Sequence, residues 1–224
     1  MYLPKHFAMD LETSIDAMNN AGVAHLVTTT SSGITASTLP MLYVPTAGGL
    51  GSLHGHVARA NRQWIETTTG SEALVLFHQS DAYISPSAYP SKQDTGKVVP
   101  TWNYVSVQAR GSWIVHDDRE WTRNHVDRLT AKHETTHAVL RTGNDITGRV
   151  WSTHDAPPDY IDSMVRAIVG IEIAITNIEG KAKLSQNRSV EDIAGVIADL
   201  HDGSSSDRGT AHDMAALTER SDNH

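Results

Sequence analysis

The chain has 224 residues, 39% of them hydrophobic, and carries 18 Lys and Arg against 26 Asp and Glu, a formal net charge of −8. That length can bury the core of one large domain, and the acidity argues against a general electrostatic grip on nucleic acid or on an anionic membrane, which needs clustered Lys and Arg. With no cysteine, disulfides, thiolate nucleophiles and Cys-based zinc or iron–sulfur sites are excluded.

The N-terminal MYLPKHFAMD has no apolar signal region, and no apolar run reaches the roughly 20 residues that span a bilayer, so the expected location is the cytoplasm. Residues 10–21 predict a helix with Asp10 as N-cap, Leu11, Ile15 and Met18 on one face and Gly22 as the stop. Residues 23–30, 34–44 and 50–57 predict three strands of a β-meander, with turns at 31–33 and 47–49. Residues 58–68 predict a short helix with Trp64 and Ile65 on its apolar side. Strands are expected at 72–79 and 81–85.

A loop rich in aromatic and polar residues follows, over 82–103. Pro86, Pro90 and Pro100 keep it out of regular structure. Residues 99–116 predict a long strand or bent pair broken at Gly111. Residues 118–140 form the strongest helical stretch, with Trp121, His125, Leu129 and His133 on one stripe. A helix at 157–167 starts on Pro157 and Pro158, and 168–178 is the clearest strand. Residues 189–201 predict a last helix capped by Ser189 and Asp192. The expected organisation is one domain over 1–201 and a polar tail over 202–224, disordered or weakly helical near Met214–Leu217. Sequential strands with peripheral helices favour a mainly β, α+β chain built as a closed or split barrel rather than a parallel sheet.

Four segments carry chemistry. In Gly55-His56-Val57-Ala58-Arg59-Ala60-Asn61, backbone N–H groups at a helix start, with Arg59, His56 and Asn61, suit a phosphate; the same residues also read as a helix cap with solvated charges. Pro100-Thr101-Trp102-Asn103-Tyr104, preceded by Tyr89 and Lys92, could wall a flat aromatic ligand and bond its polar edge, or form a structural aromatic corner. Lys181-Ala182-Lys183-Leu184-Ser185-Gln186-Asn187-Arg188 reads as a solvated loop or a second anion contact. His133-Glu134-Thr135-Thr136-His137 has the HExxH spacing of zinc hydrolases. No third ligand stands at a metalloprotease spacing, so no metal site is assigned. There is no GxGxxG after a strand, no Walker loop and no GxSxG.

The chain resembles the PaiB-type family of FMN-binding negative transcriptional regulators. The resemblance rests on Met1, Tyr2, Pro4, His6 and Phe7, then ASTLP at 36–40, GHVARAN at 55–61 and AYISPSAYPSK at 82–92. It continues through VVPTWNY at 98–104, DAPPDYI at 155–161, AIVGIEI at 167–173 and KLSQNRS at 183–189. It implies an FMN-binding split β-barrel that is a homodimer with flavin at the subunit interface. By that similarity His56, Arg59 and Asn61 are phosphate-side residues, Trp102, Asn103, Gln186 and Arg188 face the ring or ribityl chain, and Lys92 and Thr101 are further cofactor-binding candidates. The chain departs from the family at Ala88 and Ala182, where Trp is usual, at Gln108, where His is usual, and at Arg62, where Pro is usual. The function implied is a flavin-binding regulator. The alternatives are a flavin-dependent oxidoreductase acting on a small molecule and a haem-binding or haem-degrading split barrel. DNA is a partner that the family name suggests and the charge does not favour.

Overall fold

The structure is a computed structural model that describes residues 1–142 and 149–222. The strands are β1 (Ala24–Thr30), β2 (Gly33–Leu39), β3 (Leu42–Val44), β4 (Ser52–Ala58), β5 (Glu72–Ile84), β6 (Thr101–His116) and β7 (Ile168–Lys183). The helices are α1 (Leu11–Asn20), α2 (Gln63–Glu66), α3 (Lys92–Thr95), α4 (Arg119–Thr142), α5 (Pro158–Arg166), α6 (Val190–His201) and α7 (Ser205–Asp222). The strands form one mostly antiparallel sheet in the order β2–β1–β5–β6–β7–β4–β3. Two compact units divide the chain. The first takes Met1–Ala21, Leu76–Gln108 and everything from Ile178 on; the second takes Gly22–Val75 and Ala109–Asn177.

In the second unit, β1 and β2 form a hairpin with Ala24 opposite Leu39 and Thr30 opposite Gly33. The expected meander ends there. Pro40 cannot donate to a ladder, and the predicted strand over 34–44 splits around it into β2 and β3. β3 then pairs with β4, and β4 pairs with β7 from Ser52↔Ala174 to Ala58↔Ile168. The two edge strands of the sheet, β2 and β3, are therefore joined by Pro40 and Met41 alone. So short a link requires the sheet to curl on itself. Gly55 of β4 makes room for that closure, because a Cβ there would lie 2.6 Å from Met41 and 2.9 Å from Leu39. Alternating burial along β1 and β4 puts Leu26, Leu53 and Val57 inside with Ile171 and Ile173 of β7.

Several boundaries moved. Strands expected at 72–79 and 81–85 are one strand, β5. The expected break at Gly111 is absent: β6 runs straight through, and the glycine is there because a Cβ would sit 2.2 Å from the Ala174 carbonyl oxygen of β7. The helix expected over 58–68 shrinks to α2, a single turn in which Gln63 is buried and Ile65 is exposed.

In the first unit, α1 begins as expected, with the Asp10 carboxylate accepting from the Thr13 N–H at 2.7 Å. Its buried face carries Ser14, Ala17 and Met18, whereas Leu11 is exposed. The stripe is rotated because Ser14 is small enough to lie against Gly180 of β7. The tail departs most from expectation. Residues Ser205–Asp222 are helical, started by reciprocal bonds between Ser204 and Asp207. Thr210, Ala211 and Met214 are buried at helical spacing, an apolar stripe too narrow for composition to reveal.

Candidate functional site

The first unit holds Thr101, Trp102 and Asn103 at the start of β6 and Gln186 and Arg188 in the loop after β7. Ser85 caps the 3-10 turn Pro86–Ala88, and Ser91 donates through both its N–H and its hydroxyl to the Asp192 carboxylate of α6, at 3.1 and 2.8 Å. The proline-rich loop is thus tied to α6 through Ser91 rather than free. Lys92 lies beyond this anchor with its side chain exposed. Trp102 is 53% exposed and meets Tyr83, 49% exposed, edge to face at 5.8 Å. Large aromatics left open to solvent in this geometry can wall a flat ligand.

Beside them lies a run of cations. The Lys183 ammonium donates to the Thr101 hydroxyl at 2.5 Å and to the Trp102 carbonyl. The Lys181 ammonium donates to the Tyr2 carbonyl at 3.2 Å and lies 5.4 Å from the Tyr104 ring centre. The Arg188 guanidinium lies 4.9 Å over the Tyr89 ring. Among the described residues none of the three has a carboxylate partner. Burial pushes the Lys183 pKa down, and the charges of Lys181 and Arg188 push it further. Uncompensated positive charge of this kind favours an anion.

Asn103 and Gln186 are engaged internally. Asn103 has no exposed surface; its amide exchanges bonds with the Ser185 hydroxyl at 3.0 and 3.1 Å and reaches the Met214 sulfur. Ser185 is held at φ 62°, the left-handed region. Gln186 folds back, accepting from the Leu184 N–H at 2.7 Å and donating to the Ala182 carbonyl at 2.6 Å. Both side chains shape the loop that presents Lys183 and Arg188.

The second unit holds His56, Arg59 and Asn61. Arg59 is clamped: Nε donates to the Arg166 carbonyl at 3.0 Å, and one terminal nitrogen to Asp117 at 2.6 Å and to the Ile168 carbonyl at 3.2 Å. The bond to Asp117 raises the Arg59 pKa and holds Asp117 below the usual carboxylate range. Asn61 donates to Ser37 at 2.9 Å and accepts from the Gln63 N–H at 2.9 Å. The expected anion seat at a helix start finds no helix there, since β4 runs to Ala58 and the single turn of α2 has its Gln63 N–H taken by Asn61.

His56 belongs to a cluster that motif reading missed. Its Nδ1 lies 3.1 Å from Nε2 of His125 on α4. Trp121 stacks on His116 at 4.1 Å and 8°, and also meets His54 and His125. Glu172 accepts from His116 Nε2 at 2.7 Å and lies 3.8 Å from His54 Nε2. Gly170 admits the indole, because a Cβ there would lie 2.3 Å from it. The signal was present in strand alternation: His54 and His56, two apart on β4, face one side of the sheet. The HETTH histidines, His133 and His137, are exposed on α4, and among the described residues no group of three or more His, Asp or Glu is placed to hold a metal.

Residues 1–177 match the family described as "Putative FMN-binding domain", and the chain belongs to that family, with FMN as its cofactor. An uncharacterized protein of Aspergillus fumigatus is 35% identical over 170 residues, 66% of this chain and 65% of its own length. The chain therefore spans slightly less than two thirds of that relative. The protease synthase and sporulation protein PAI 2 of Bacillus subtilis is 28% identical over 98% of this chain and 97% of its own. Among solved structures, the flavocytochrome Anf3 of Azotobacter vinelandii covers 84% of this chain and 75% of its own at a TM-score of 0.53 and 12% identity. The fold is the FMN-binding split β-barrel, antiparallel strands with helices around them.

Proposed function

We propose that this protein is a flavin-responsive regulator that works as a homodimer, with FMN held on the first unit. The phosphate lies against Lys183 and Arg188, and the ring system lies beside Trp102, with Thr101 and Lys92 at its polar edge. The observation that carries this reading is the set of cations, Lys181, Lys183 and Arg188, without carboxylate partners next to the exposed Trp102 and Tyr83. Asn103 and Gln186 support the seat by bracing the loop. The GHVARAN segment is the second candidate for the phosphate, less favoured because Arg59 already neutralises Asp117.

The regulatory part draws on the likeness to PAI 2, whose name speaks of protease synthesis and sporulation. An acidic chain gives DNA contact no general electrostatic help. Regulation through a protein or small-molecule partner is therefore preferred over direct operator binding. In this reading the flavin supplies redox chemistry and a bound-or-free signal, while the chain's own residues bind, orient and neutralise it.

FMN titration followed by flavin fluorescence tests the seat. A charge-assisted hydrogen bond contributes about 1.5–3 kcal/mol, so Lys183→Met and Arg188→Met should each weaken FMN binding by roughly 10- to 150-fold. Arg59→Met should change it little. The reverse ranking would move the phosphate to the GHVARAN segment. Steady oxidation of reduced nicotinamide by the FMN-loaded protein would instead favour an oxidoreductase. Sedimentation with and without FMN reads the dimer.

A further inference from the structure

We propose that the pocket between β4 and α4 in the second unit binds a small monocarboxylate, its oxygens bonded to the Arg128 guanidinium and to Nδ1–H of His125. The pocket is a cavity of about 420 Å³ bordered by His54, Asp118, Glu120, Trp121, Asn124, His125 and Arg128. It shares no residue with those assigned above to flavin, and it stands whether or not that assignment does.

His125 points to a ligand. It is 2% exposed, and its Nδ1 has no hydrogen-bond partner although Nε2 is bonded to His56. Buried polar atoms are otherwise satisfied almost everywhere in folded proteins, so an orphan nitrogen on a residue that lines a cavity calls for a partner. If His56 Nδ1–H donates to His125 Nε2, His125 carries its proton on Nδ1, ready to donate to an anion.

Arg128 supplies the charge. It lies seven residues beyond Trp121 and three beyond His125, on the same helical face. It forms no hydrogen bond or ion pair among the described residues, yet its charge depresses the basicity of both His54 and His125, so it acts on the same space. A guanidinium with free donors is suited to a carboxylate. The other end of the pocket is acidic. Glu120 lies eight residues before Arg128, about 12 Å along the helix axis, and Asp118, which caps α4 through the Trp121 N–H at 2.7 Å, adds a second carboxylate. That polarity favours a single anionic group at one end with a neutral or cationic remainder, and disfavours a dianion.

Sodium benzoate is the probe, titrated against chloride-matched controls and followed at the histidine ring nitrogens by NMR. The expected result is saturable binding at pH 7.5 that shifts the His125 Nδ1 resonance, with the neutral imidazole donating through Nδ1–H. Arg128→Gln should weaken it at least tenfold while leaving FMN affinity unchanged. His125→Phe should do the same, and Arg128→Gln, at an exposed position, decides the matter if that variant does not fold. No resonance shift with 50 mM benzoate, undiminished affinity in Arg128→Gln, or tighter binding of inorganic phosphate than of benzoate would each overturn the proposal.

Discussion

At the scale of single residues, two positions separate bracing from binding. Asn103 is sealed inside the first unit and tied to Ser185, whose backbone is left-handed. Replacing Asn103 with Ala strands the Ser185 hydroxyl and should cost about 1–3 kcal/mol, read by chemical denaturation. Ser185→Gly relaxes a backbone strain of about 1 kcal/mol but orphans the Asn103 amide at a cost of about 1–3 kcal/mol, so net destabilisation is expected. A more stable Ser185→Gly protein would mean that strain outweighs the bonds. Gly111 is stricter. An alanine Cβ there would run into backbone, the Ala174 carbonyl, which cannot swing away. Gly111→Ala should therefore fail to give soluble protein or should lower the melting temperature by more than 10 °C, the scale of several kcal/mol in a domain of this size.

At the scale of elements, α4 is docked on β4 through imidazoles kept neutral. Burial lowers the pKa of His54 and His56, and burial with the charges of His56, His54 and Arg128 lowers that of His125 to about 3. Glu172 opposes the shift at His54. Asp118 and Glu120 lie on the acidic side of the same cavity. The sign follows from linkage. The unfolded chain takes up protons near pH 6.5 while the folded cluster does not, so stability is full above about 6.5 and falls as pH drops towards 3. For His125 alone, 1.5 pH units below its unfolded value correspond to roughly 2 kcal/mol lost at pH 5. Denaturant midpoints at pH 7.5 and 5 read this directly, and His125→Phe should flatten the profile. An unchanged slope in that variant would place the proton-sensitive group elsewhere.

Element boundaries also show what the sequence could and could not say. Helix α4 was legible because its stripe repeats over many turns, and Asp10 and Ser189 were legible as caps because capping is local. The merger of the 72–79 and 81–85 strands into β5 was not, since the polar stretch between them is held by partners far along the chain. Ser80 donates to Asp213, and the Asp81 carbonyl accepts from Ser206 at 2.7 Å. The pairing of β4 with β7 rather than with the strand before β3 was equally hidden, as no local residue encodes a partner that far away. Among the candidate site residues, Trp102 lies open to solvent, as its place at the end of a proline-rich stretch suggested, whereas Arg188 is half-buried. The burial of Asn103 and the clamping of Arg59 were not legible, because both depend on neighbours about 60 to 110 residues away.

At the scale of the whole molecule, ligand linkage gives a further expectation. FMN at 100 times its dissociation constant adds about 2.7 kcal/mol to the state that binds it. Calorimetry should therefore show a higher melting temperature with FMN for the parent chain and no change for the Lys183→Met, Arg188→Met double variant. Equal protection of both would remove those cations from the site. The order of the chain carries another consequence. The first unit is assembled from three separated segments, the last beginning at Ile178, and the second interrupts it twice. During synthesis the opening helix must wait for Gly180 and the rest of the last segment while more than three quarters of the polypeptide leaves the ribosome. A nascent chain stalled before Ile178 should thus remain sensitive to protease over residues 1–21, and release of the finished protein should abolish that sensitivity in one step.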